Sequence, residues 1–316
     1  MTRITFPLSV VAIALLGLLH VVPAQAQAIR VFVAMTGNDA NPCTFVSPCK
    51  SVQHAHDVVA AGGEIRMLDP GSYGLLTITK AISILGDGHG GIAASNGATA
   101  ITINAGANDQ INLRGLVIEG FGSGQNGIEF NSGKSLSIED CAVRHLANFG
   151  LWFKNRLSTA ATLSVANSYF TDNNAGIVVE PTASGDITGA IDRVTASGNT
   201  GAGVSVYGGN GPFNSSQRLY VSVTDSVAAN NGGWGFLAQS GGRTVGRLFV
   251  SRSAAVGNGI GIASIGGILY LAQSTVVGNQ TSFSVTGVFG FIDTFQDNYI
   301  PDVSGSTGNL TPFTKS

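Results

Sequence analysis

Between Leu113 and Val285 apolar and polar positions alternate in short runs, and the runs recur as one phrase. An alternating apolar strand leads into a polar pair, a small residue and a second short run, then Asn, then Gly and another apolar strand. LSIEDCAVRHLANFGLWF (136–153) and VTDSVAANNGGWGFLA (223–238) both follow it. Taking the core-facing residue after each polar pair as the anchor gives Leu116, Cys141, Ser168, Val194, Ser226, Ser253 and Ser274, 21 to 32 residues apart. Self-similarity at this period marks a solenoid, in which each turn buries its apolar face only by stacking on its neighbours.

The kind of solenoid follows from the period. The repeats alternate at period two, and no stretch carries apolar residues at 3.6 spacing over ten or more positions, which excludes helical repeats. The regular leucine and asparagine spacing of a leucine-rich repeat is missing, and a propeller blade needs roughly 40 to 50 residues. What remains is a coil of about 25 residues with three short parallel strands per turn. Asn148, Asn174, Asn199, Asn230 or Asn231, Asn258 and Asn279 recur at the bend before the Gly-led strand, where stacked amides bond one another and the turn backbone. The 44 glycines and the low charged fraction of 11% suit such a chain. Tight turns repeat many times, and like charges in one row would repel at every step.

Both ends depart from the repeat. Met1–Ala26 has Arg3, an apolar run and the small-residue site Ala24-Gln25-Ala26, with Ala26-Gln27-Ala28 as a second cleavage option. It reads as a secretory signal, the apolar run being short for a membrane span. Loss of Arg3 takes the formal charge from −2 to −3, which gives no electrostatic case for nucleic acid. Cys43 and Cys49 enclose a short polar loop, and in an oxidising compartment they form a disulfide; free thiols or half of a metal site are the alternatives. Ser47 as N-cap, Pro48 at the first helical position and Gly62-Gly63 as the stop predict an amphipathic helix that closes the first coil. Its His54 and His56 cannot face the same way, so they are expected to be solvated and not a metal pair. The domain layout is a signal at 1–26, a strand, disulfide loop and capping helix at 27–62, the β-helix at 63–300 and a tail at 301–316.

The repeat, with VFVAMTGNDANPCTFVSPCKSVQHAHDVVAAGGEIRMLDPGSYG (31–74) and TITKAISILGDG (77–88), resembles the right-handed parallel β-helix proteins related to pectate lyases. More narrowly, it is similar to secreted bacterial β-helix repeat proteins that share no common activity. The resemblance implies an all-β, right-handed parallel β-helix with an N-terminal capping helix. Its Asn, Gly and aliphatic positions build coils and carry no chemistry.

Chemistry is therefore sought where single coils break the pattern. Glu119, Arg144, His145 and Asp172 follow the anchors, and in register Glu119 meets Arg144 while His145 approaches Asp172. A β-helix lyase or hydrolase uses such groups to bind a uronate carboxylate and move a proton; surface salt bridges are the plain alternative. On the Gly-led strand the outward row runs Glu129, Trp152, Val178, Ser205, Leu237, Ala263, with Lys154, Arg156, Glu180 and Tyr207 just beyond. Trp152 reads either as a sugar-stacking platform or as a side chain covered by the 151–162 insertion. Residues 207–220 form an excursion that could wall a groove. Cys141 is read as a small buried ladder residue over a nucleophile.

The acids are scattered singly, so neither a calcium site nor a clustered-aspartate hydrolase centre is expected; Gly88-His89 follows Asp87 but lies at the early, cap-proximal end, where no partner acids are expected nearby. No helix follows GDGHGG (86–91), which removes a dinucleotide loop. The expected protein is secreted or periplasmic, monomeric, without cofactor or metal, without nucleic acid and with no membrane span after signal removal. Its leading function is polysaccharide or cell-surface interaction. The alternatives are a polysaccharide lyase, epimerase or hydrolase, and a structural or adhesive rod.

Overall fold

A computed structural model describes residues 27–212 and 214–313, so the expected signal segment Met1–Ala26 lies outside the described residues. Among them the strands form a 19-stranded and a 9-stranded sheet, with parallel pairing between successive coils. Each coil contributes three strands: Phe149–Phe153 joins the nine-stranded sheet, while Ala161–Ala166 and Tyr169–Thr171 join the larger one. The alternating pattern settles the register. Inward residues stack into unbroken columns, one of which runs from Ile65 through Ile84, Leu113, Ile138, Val165, Ile191, Val223 and Val250 to Leu271. All are buried, and each such side chain contributes about 1.5 to 3 kcal/mol.

The anchor row follows from a backbone bend. The residue before each anchor takes a left-handed conformation, with φ of 49° at Asn167, 48° at Asp225 and 46° at Arg252. That conformation costs roughly 1 to 2 kcal/mol for an L-residue. The bend splits the larger sheet into two strand columns and leaves the anchor N–H without a ladder partner. The next coil's anchor side chain supplies one. Val194 N donates to Ser226 Oγ at 3.0 Å and Ser226 N to Ser253 Oγ at 3.1 Å, while each hydroxyl donates to the carbonyl two residues back. Cys141 does the same with sulfur, accepting from Leu116 N at 3.4 Å and donating to Glu139 O at 3.2 Å.

The asparagine ladder is internal, and it differs in two coils from the sequence expectation. Its members are Asn173, Asn199, Asn231, Asn258 and Asn279, each main-chain N–H donating to the Oδ1 of the next. Asn174 is exposed, and Leu146 takes the equivalent place one coil earlier, where its N–H donates to Asn173 Oδ1, so Asn148 is not a rung. Glycine follows the ladder because coils approach closely there: a Cβ on Gly203 would lie 2.8 Å from the Gly235 carbonyl oxygen.

The capping helix is Val52–Val58, with Val52, Ala55 and Val59 packed on the core. Its N-cap is Ser51 and not Ser47. Cys49 pairs with Phe32 and Ala34 as a strand residue, and the Asp39 carboxylate holds the N–H groups of Lys50 and Ser51 at 2.8 Å, so the helix starts only beyond them. Pro48 sits in the loop closed by the Cys43–Cys49 disulfide. His56 is not solvated but 2% exposed: Thr79 N donates to its Nε2, and its Nδ1 meets Asp57 Oδ1, both at 3.2 Å. At the far end, parallel pairing runs on from Phe291–Thr294 to Leu310–Pro312.

Candidate functional site

Two surface grooves lie beside the sequence-predicted residues, and some of those residues line them. The first lies on the outer face of the nine-stranded sheet, over a floor of buried residues that includes Ala175, Ala202 and Ser205. Val178 pairs with Ser205, and Ser205 with Leu237, so these three residues form one column of the floor, which Trp152 continues outside the groove. A neighbouring column runs Phe149, Ala175, Ala202, Trp234 by the same register. Phe149 and Trp234 thus stand three strand steps apart, about 14 Å, as aromatic walls beside a floor of Ala175, Val178, Ala202, Ser205 and Leu237. The resulting groove has a volume of about 270 Å³, and Glu180, Tyr207 and Gln239 line its side.

The sequence-predicted binding residues divide around this groove. Glu180 and Tyr207 line it, whereas Lys154 and Arg156 do not. Trp152 stands behind the Phe149 wall, with ring centroids 5.0 Å apart in edge contact, and its Nε1 donates to Glu180 Oε2 at 3.0 Å. Lys154 is 3% exposed and donates to Glu129 Oε1 at 2.6 Å, its Nζ lying 3.9 Å from the Trp152 centroid. Arg156 is exposed beyond the strand end. Tyr207 donates to Asn210 Oδ1 at 2.6 Å, which ties the 207–220 excursion to the rim. Sequence reasoning missed Phe149, Trp234 and Gln239. The available signal was that Phe149 and Trp234 both stand at the start of a Gly-containing strand, one residue before its glycine.

The second groove lies along the short-strand column of the larger sheet. Arg144 pairs in register with Glu119, and its Nε donates to Glu119 Oε2 at 2.8 Å. His145 Nδ1 is 2.8 Å from Glu119 Oε1, and its Nε2 is 3.9 Å from Asp172 Oδ2. The four residues therefore form one cluster. Burial alone would raise the Glu119 pKa, but hydrogen bonds from Phe121 N–H, His145 and Arg144 outweigh it and lower it below the usual range. The Nδ1 contact with Glu119 fixes the ring so that its other nitrogen, Nε2, is turned toward Asp172. His89 joins this groove as well. The chain bulges between Leu85 and Gly90 against its neighbour, which brings His89 to a groove of about 300 Å³ shared with Glu119, Phe121 and Arg144. Contrary to the sequence expectation, His89 thus has an acid, Glu119, beside it in this groove, because the next coil brings it there.

Two other candidates lose their chemistry. Cys43, Cys49 and His54 lie within 4.8 Å of one another, but both sulfurs are committed to the disulfide and offer no thiolate to a metal. Cys141 is buried, and desolvation pushes its thiol up to about 11, away from the thiolate a nucleophile needs.

Stacked three-strand coils with grooves along their flanks define a parallel β-helix. Residues 99–281 match the right-handed β-helix region family, and the chain belongs to it. Among solved structures, the chain is similar to the pectate lyase Pel9A at 16% identity and a TM-score of 0.56, over 90% of this chain and 77% of that one. It is similar to the mannuronan C-5 epimerase AlgE4 A-module of Azotobacter vinelandii at 14% and 0.55, over 81% and 91%. An alginate lyase from a Paenibacillus species aligns at 14% and 0.54, over 90% and 100%. These likenesses concern the fold. No curated protein matches the sequence.

Proposed function

We propose that the protein is a secreted β-helix protein that binds polysaccharide in the groove between Phe149 and Trp234. The single observation behind this reading is a groove lined by two aromatic side chains, Phe149 and Trp234, with a polar edge formed by Glu180, Tyr207 and Gln239. Aromatic faces stack on sugar rings, and a few placed polar groups orient the hydroxyls. Trp152, Lys154 and Arg156 act around the site: Trp152 fixes Glu180, Lys154 fixes Trp152, and Arg156 lies outside the groove. The fold neighbours are named as enzymes of pectate, mannuronan and alginate, which supports a polysaccharide as partner. The signal-like leader and the disulfide support an extracytoplasmic setting.

Co-sedimentation of the mature chain with insoluble polysaccharides tests the reading. Retention that falls at least tenfold in Trp234→Ala supports it, and no retention on any polysaccharide leaves the structural rod.

A polysaccharide lyase, epimerase or hydrolase is the second reading, favoured by the Glu119–His145 contact that orients an imidazole beside Arg144 and Asp172. New chain ends or altered uronate stereochemistry, abolished in His145→Ala, would establish it.

A further inference from the structure

We infer that the groove between Phe149 and Trp234 takes an uncharged oligosaccharide and rejects uronate chains. The inference rests on the groove being a polysaccharide site, and it concerns the class of sugar admitted. Among the described residues lining the groove, Glu180 is the only charged one, and it is an acid. Its Oε2 accepts from Trp152 Nε1, which leaves Oε1 for a ligand hydroxyl. The nearest cation along the strand, Lys154, is withdrawn: it is buried, with Nζ 2.6 Å from Glu129 Oε1 and under the Trp152 ring.

A uronate polymer carries a carboxylate on each unit, so any chain spanning the groove would bring like charge toward Glu180 with no cation in the lining to offset it. An uncharged chain meets a complementary surface. Its rings stack on Phe149 and Trp234, while its hydroxyls reach Glu180, Tyr207 and Gln239. The walls stand about 14 Å apart by strand spacing, so both are engaged only by an oligosaccharide and not by a single sugar.

The test is isothermal titration of the mature chain with cellohexaose, mannohexaose and xylohexaose against hexagalacturonate and hexamannuronate. The expected result is binding of at least one neutral hexasaccharide, weakened at least tenfold by Trp234→Ala and by Phe149→Ala, with no uronate binding. Uronate binding that Trp234→Ala removes would overturn the inference and leave the polysaccharide reading standing. No binding by either class would overturn the polysaccharide reading itself. Neutral binding indifferent to both substitutions would place the sugar elsewhere and overturn the groove. Circular dichroism of each variant separates a lost wall from a lost fold.

Discussion

The Lys154 ammonium lies 3.9 Å from the centroid of the Trp152 ring, clamped between that ring and Glu129. Replacing one member of a buried ion pair leaves the other charge without a partner. Lys154→Met is expected to destabilise the chain by about 3 kcal/mol, and adding Glu129→Gln should restore most of the loss. Denaturant unfolding of the four proteins in the cycle measures the coupling; a double variant as unstable as the single one would contradict the pairing.

Ser226 gives Val194 N–H its partner across the coil step. Ser226→Ala strands that buried donor and is expected to cost about 1 to 3 kcal/mol. Ser226→Cys should cost less, because the sulfur of Cys141 already serves Leu116 in the same way. Thermal melting orders the three proteins, and equal losses for Ala and Cys would remove the hydrogen bond as the cause.

Asn231 donates to Asn258 Oδ1 and Ala196 O and accepts from Asn199. An aspartate of the same shape would turn acceptors toward acceptors and add a charge in a dry interior. Asn231→Asp is therefore expected to unfold at lower denaturant than Asn231→Ala at pH 7, with Ala costing about 2 to 4 kcal/mol for the orphaned groups. The reverse order would mean that water enters the ladder.

His56 is held neutral. Burial lowers its pKa below the ordinary 6.5, Lys80 lowers it further, and the hydrogen bond to Asp57 only partly opposes. As pH falls below 6.5 the unfolded chain takes up a proton that the folded chain refuses, so the contribution of this group is full above that pH and is lost beneath it. The melting temperature of the wild type minus that of His56→Gln is expected to shrink between pH 7.5 and 5.5. A difference that stays constant would mean that His56 charges freely in the fold.

Cys141 should resist alkylation. Its thiol is 1% exposed and raised to about 11, so iodoacetamide at pH 8 is expected to leave the native chain unlabelled and to add one group after denaturation without reductant. Two further labels would show that Cys43 and Cys49 are reduced.

Coil period, anchors and strand register were legible because they rest on alternation, which a sheet enforces residue by residue. The left-handed bends were not, since Arg193, Arg252 and Gln273 carry none of the usual glycine signal. Their conformation is held by the neighbouring coil. The same cause hid the true rung at Asn173: two adjacent asparagines are alike in sequence, and only the ladder selects one. Of the site, Glu119 with Arg144 and His145 could be read across one coil step. The Phe149 and Trp234 walls could not, because their relation spans three steps and the long 207–220 excursion intervenes.

The anchor ladder also makes this a chain with a grain. Its rungs join residues 21 to 32 apart in sequence, so each coil is fastened only to the coils before and after it. Pulled from its ends in an optical trap, the molecule is expected to peel coil by coil. Each release would lengthen the tether by about 70 to 110 Å at roughly 3.4 Å per residue. The 32-residue coil between Val194 and Ser226, which carries the groove's rim, would be the longest step.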